Sequence, residues 1–142
     1  MAAEAWNEAE ETPNEKVYDY LDQVRERAGL EGIKETYAKY ASAQYKDYPS
    51  HKSQMRDIIH RERQVELSCE GSYYWDTRRW KTAEKELNRI VQGWNVLNGE
   101  TAEDYYIPTN IYNQQFTLRD YFAPIPDGDI IRNPQLVQNP WW

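Results

Sequence analysis

Between Met55 and Cys69 the apolar residues return every three or four positions. Met55, Ile58, Ile59, Val65 and Cys69 share one helical face with Glu62 and Glu66. The spacing predicts a helix that starts near Ser50 or Ser53 and closes at Gly71, because the residue after a last turn often takes positive φ. A second helix follows at once, with Tyr73, Asp76, Thr77 and Trp80 on one side. Upstream, Val17, Tyr20, Leu21, Val24 and Ala28 form a stripe that Gly29 ends, and Thr12-Pro13-Asn14-Glu15 reads as a capping box with Pro13 at the first helical position. Ala2, Ala5, Trp6 and Ala9 give an opening helix a face of mostly small residues. These first two helices predict an antiparallel hairpin of the tetratricopeptide type. One such pair cannot cover both of its faces, so stacked neighbours are expected before residue 1, and the chain from Met1 reads as a piece of a longer protein.

The remaining pattern is less regular. Glu31 to Ala43 predicts a short helix with Ala38, Ala41 and Tyr45 inward, broken at Tyr45-Lys46-Asp47-Tyr48-Pro49. Thr82 to Val91 reads as helix on Ala83, Leu87 and Val91, followed by turns at Gly93-Trp94-Asn95 and Asn98-Gly99-Glu100. Beyond Gly99, Tyr105 to Pro108, Ile111-Tyr112, Phe116 to Leu118 and Tyr121 to Ala123 read as extended or hairpin segments, with Asn113-Gln114-Gln115 at the tip and Pro108 marking an edge. Pro124, Pro126, Pro134 and Pro140 predict an extended strap without regular helix. The fold class expected is mainly α: a helical-repeat hairpin, further helices, a short extended or hairpin region and a proline-rich C-terminal strap, all in one domain over residues 1–142.

Composition narrows the chemistry. The chain has 6 Trp and 12 Tyr against 2 Phe, a choice of amphipathic rings that suits half-buried surfaces and stacking platforms. Mean hydropathy is −1.02, and no apolar run is long enough to cross a bilayer. No signal peptide is legible either. A net charge of −7 argues against a nucleic-acid partner, which needs clustered Lys and Arg.

Glu62 and Glu66 lie one turn apart within an apolar stripe, so they require partners. Arg78, Arg79 and the Trp80 indole are the nearest candidates in sequence. Because both acids leave one helix in the same direction, with no cleft between them, Glu62, Glu66, Arg79 and Trp80 read as a structural ion network rather than an acid/base pair. His51 and His60 lack metal-ligand spacing and read as solvated. Cys69 on the stripe reads as a small hydrophobe, and no nucleophile has a base at a known spacing. No metal, cofactor or catalytic residue is expected. Trp94, Tyr105, Tyr106 and Tyr112 fall in irregular or extended chain, where binding residues concentrate. Trp94, Tyr105 and Tyr112, with the Asn95 amide, are the candidate contacts for a bound ligand.

The motifs also carry a resemblance. Glu62-Arg63, Glu66-Leu67, Glu70-Gly71, Tyr74-Trp75-Asp76 and Arg79-Trp80, followed by Pro124-Ile125-Pro126, Asn133-Pro134, Leu136 and Gln138-Asn139-Pro140, resemble in order the C-terminal part of the SusD/RagB family. The final Trp141-Trp142 departs from that pattern, where Gly and an aromatic are more usual. The resemblance implies a cell-surface, outer-membrane lipoprotein of polysaccharide utilisation and nutrient uptake. Such a protein binds glycan without catalysis and delivers it to a SusC-like TonB-dependent transporter. It meets the membrane only through an N-terminal lipid anchor outside residues 1–142. The competing reading is a helical protein–protein interaction module with no glycan site of its own.

Overall fold

The computed structural model describes every residue except Met1 and Asn98. The reading of the Met1 start and that of the turn at Asn98 therefore lie outside the described residues. Helices dominate: α1 (Ala2–Ala9), α2 (Glu15–Arg27), α3 (Ile33–Tyr40), α4 (Lys52–Glu66), α5 (Ser72–Arg79), α6 (Ala83–Leu87), α7 (Ala102–Tyr105) and α8 (Asp127–Arg132), with strands β1 (Arg89–Trp94) and β2 (Pro108–Gln114). The chain forms two compact units, Met1–Tyr73 and Tyr74–Trp142.

The first unit is built on apolar stripes. Ala3, Val17, Tyr18, Leu21, Ile33, Met55, Ile58 and Ile59 form one buried cluster, flanked by Trp6, Tyr37 and Tyr48. The stripes are rotated from the expected faces. On α1 the inward residues are Ala3 and Asn7, while Ala2, Ala5 and Ala9 are exposed. On α2, Tyr18 and Arg25 go inward and Tyr20 and Val24 stay outside, at 43% and 36% exposure. On α3, Ile33, Thr36 and Tyr37 are covered, in place of Ala38 and Tyr45.

Caps set the ends of α2. Asn14 is its N-cap, with a side-chain oxygen that accepts from the Val17 N–H at 3.3 Å, so Pro13 precedes the cap and is not the first helical residue. Gly29 at φ 74° closes it, with the Leu30 N–H reaching the Arg25 carbonyl and the Gly29 N–H the Glu26 carbonyl, both at 2.9 Å. Helix α4 stops at Glu66, well before Gly71, because its apolar face gives out: Val65 is 61% exposed. Cys69 is exposed at φ 67°, so it is not the core residue its spacing suggested.

The second unit departs further from expectation. Asp76 and Thr77 are buried on α5, with Trp80 half-buried, as the spacing predicts. Helix α6 ends at Leu87, and the residues expected to continue it become β1, so Val91 is a strand residue, as are Gly93 and Trp94. The partner of β2 is upstream. Arg89 faces Gln114, Ile90 faces Asn113, Val91 faces Tyr112, Gln92 faces Asn110, Gly93 faces Thr109 and Trp94 faces Pro108. Asn113 and Gln114 thus lie in the ladder and not at a hairpin tip. Ile111 is the extra residue of a β-bulge, and a side-chain carbon at Gly93 would meet its Cδ1 at 2.4 Å.

The strap is held by amide side chains. Gln138 accepts from the Ile125 N–H at 2.8 Å and donates to the Ile125 carbonyl at 2.9 Å, so one side chain imitates a strand partner. Asn139 donates to the Ala123 carbonyl at 2.5 Å, and the Trp142 indole N–H reaches the Phe122 carbonyl at 2.9 Å. Between Pro126 and Pro134 the chain does turn helical, as α8, because Pro126 stands before the first turn, where its missing N–H costs nothing.

Candidate functional site

The acids and the aromatics of the sequence belong to different units. In the first unit, Glu62 accepts from Arg25 at 2.5 Å, and Arg25 also donates to the Glu31 carbonyl at 2.8 Å and to Thr36 Oγ1 at 2.9 Å. One buried guanidinium thereby ties α2, α3 and α4 together. Glu66 pairs with Arg27, whose side chain is 70% exposed. The cations facing these acids are therefore on α2, where the sequence reading looked to Arg78, Arg79 and Trp80. The signal for Arg25 was available: it lies one turn beyond Leu21 on the inward face. Arg79 donates to buried Asp76 at 2.8 Å and its guanidinium lies 4.8 Å from the Trp80 ring centre. His60 is not solvated either: its Nε2 lies 3.9 Å from Glu4 and its side chain is largely covered.

In the second unit the aromatic residues form a chain of rings. Trp94 ends β1, and its ring meets Tyr106 edge to face at 5.5 Å; Tyr106 meets Tyr105 in the same way at 5.1 Å. The loop that brings them together is pinned at Asn95. Its N–H donates to the Tyr105 carbonyl at 3.0 Å, its side-chain amide donates to the Asp104 carbonyl at 3.3 Å, and its own carbonyl accepts from the Gly99 N–H at 3.0 Å. Gly99 is required there, because a Cβ would stand 2.6 Å from the Tyr105 Cα. Thr101 caps α7 by accepting from the Asp104 N–H at 3.2 Å, which fixes where Tyr105 leaves the helix.

Three of the four expected contacts thus fall together: Trp94, Asn95 and Tyr105. Tyr106 joins them as the ring between. Asn95 is a loop pin, with its amide directed at Asp104 rather than outward alone. Tyr112 does not join the group. It faces Val91, three residues before Trp94, and strand alternation puts the two on opposite faces of the ribbon. Trp94 is 51% exposed and Tyr106 61%, so their rings are open to a ligand. Gln92, Gly93, Trp94 and Pro108 line a shallow hollow of about 350 Å³. Gln92 Nε2 donates to Asn110 Oδ1 at 2.9 Å across the strands, on the Trp94 face. The sequence reading missed this amide pair, because its residues are 18 positions apart and only the register brings them together. Among the described residues no cluster of His, Cys, Asp or Glu could hold a metal.

The sequence profile of the SusD family matches residues 1–142. The chain belongs to the SusD family. A SusD-like protein P2 from Formosa agariphila is 30% identical over 139 residues, which are 98% of this chain and 23% of that protein. Among solved structures, BT4246 is similar at a TM-score of 0.75 with 28% identity, over 99% of this chain and 22% of that one. A SusD-like protein from Bacteroides fragilis shares the fold at a TM-score of 0.73 and 22% identity, over 99% of this chain and 23% of that one. The chain therefore spans less than a quarter of the length of these relatives. In this SusD-family chain the motif residues Glu62, Asp76, Arg79, Gln138 and Asn139 all make internal ion pairs or backbone clamps.

Proposed function

We propose that this SusD-family chain is the C-terminal part of a non-catalytic, outer-membrane glycan-binding protein that delivers glycan to a TonB-dependent transporter. The observation that carries the glycan reading within this chain is the Trp94–Tyr106–Tyr105 ring chain, with Trp94 and Tyr106 exposed and Tyr105 half-buried, held by a pinned loop. Sugar rings present C–H faces that stack on indole and phenol rings, and hydroxyls that bond to amides. The strands carry a single charged side chain, Arg89, so the surface suits a neutral glycan.

Affinity electrophoresis through gels loaded with neutral polysaccharides tests this. Trp94→Ala should weaken retention by roughly 2–4 kcal/mol, the range for an aromatic hot spot, with an unchanged melt. Added salt should have little effect, since stacking and neutral hydrogen bonds are not screened. A lower melting temperature with retained binding rejects the site and makes Trp94 a structural plug.

A further inference from the structure

We infer that the Gln92–Asn110 pair beside Trp94 reads a vicinal diol of a neutral pyranose; this rests on the glycan reading above and names the chemistry that the site selects. Gln92 and Trp94 are two residues apart on a strand, so both project from one face, about 7 Å apart. Asn110 stands opposite Gln92 on that same face. Each amide has an oxygen that accepts and an NH₂ that donates. The cross-strand bond uses the Gln92 Nε2 donor and the Asn110 Oδ1 acceptor. The complementary atoms, Gln92 Oε1 and Asn110 Nδ2, remain open, and both residues are exposed.

An acceptor beside a donor is the complement of two adjacent hydroxyls, one giving its proton to Gln92 Oε1 and its neighbour accepting from Asn110 Nδ2. The bond between the amides fixes their relative position before a ligand arrives, which lowers the ordering cost of binding. Trp94 then supplies the stacking face for the ring that carries the diol, within the hollow lined by Gln92, Gly93, Trp94 and Pro108. The charge around it excludes an acidic sugar. Glu100 and, on α7, Glu103 and Asp104 follow β1 in the chain, and none of Gln92, Trp94, Pro108 and Asn110 offers a cation.

The test uses the whole chain and two soluble polymers. A glucomannan of the cellulose type keeps a vicinal diol on its internal residues; a glucan of the laminarin type does not. The parent should be retained by the first and less by the second. Periodate cleavage of the diols followed by borohydride reduction should abolish retention on the glucomannan. Gln92→Leu, and Asn110→Asp, which keeps the acceptor for Gln92 but loses the outward donor, should each weaken retention about tenfold with unchanged melts. If both variants bind like the parent while Trp94→Ala does not, the diol inference falls and the aromatic platform stands. Preference for the laminarin-type glucan, or retention that survives periodate, also overturns it. If Trp94→Ala binds like the parent, the glycan reading of this site fails and the diol inference with it. A parent retained by neither polymer overturns the inference, and retention on other neutral polysaccharides then shows that the wider reading survives.

Discussion

The two units hold themselves together by different means. In Met1–Tyr73, eight apolar side chains form a continuous buried cluster, and the ion pairs lie at its margin. Among the described residues of Tyr74–Trp142 the buried apolar ones are Ala83 and Phe116, and side chains bonded to backbone carry much of the order. Asn88 accepts from the Phe116 N–H at 2.6 Å and donates to its carbonyl at 3.0 Å; Gln138 does the same for Ile125. Apolar burial is tolerant of sequence, and it does not fix particular backbone atoms. Polar clamping fixes particular backbone atoms and allows large rings to stay outside, which is what a binding surface needs.

The contrast breaks most readily at a core position. Ile58→Ala, at 4% exposure, should cost about 3 kcal/mol by chemical denaturation, whereas Leu97→Ala at 94% exposure should cost almost nothing. Next is Asn88→Ala, which strands both backbone groups of Phe116 and should cost about 2 kcal/mol. A loss close to zero would mean that the second unit does not depend on its clamps. Within the first unit, Glu62→Ala leaves the mostly buried Arg25 without its carboxylate and should cost about 2 kcal/mol, while Glu66→Ala, opposite exposed Arg27, should stay within about 1 kcal/mol. Equal costs would remove the distinction between the two pairs.

The smallest effect is in acid. The Arg56 hydrogen bond, against some desolvation, holds the Glu8 carboxyl below its usual value, and the Thr117 N–H and hydroxyl do the same for Asp120. A lowered folded value means stability that is present above the ordinary carboxylate range, about pH 4, and is lost as pH falls through the depressed values. Glu8→Gln should flatten the acid limb of a denaturation series for the first unit and leave that of the second unchanged.

Much of the first unit was legible because its order is periodic and local. Gly29 and the stripe of α2 are local signals, and the error there was a rotation, not a missing element. Arg25 was overlooked because a charged residue on an inward face counts against a stripe, although it is what Glu62 requires. The second unit was harder to read for a physical reason. Leu87 and Val91 fit a helical face, but Val91 also fits a strand, and the choice was made by β2, which lies well downstream. The same non-local pairing created the Gln92–Asn110 rung and separated Tyr112 from Trp94. Trp94, Asn95 and Tyr105 read as candidates in irregular chain, whereas Trp94 ends β1 and Tyr105 ends α7, and their joining through Tyr106 depends on the loop closure at Gly99.

The bulge at Ile111 gives the ribbon a counting error that it uses. Without an extra residue, odd and even positions along β2 would keep one parity from Pro108 to Gln114. With it, the parity changes midway, so Asn110 and Asn113 both stand on the side of Trp94, while Tyr112 stands on the other. The ribbon thus behaves as two short words joined by a silent letter: a single-residue deletion at Ile111 would keep every rung paired, and the same deletion at Thr109 or Asn113 would scramble which side chains share a side.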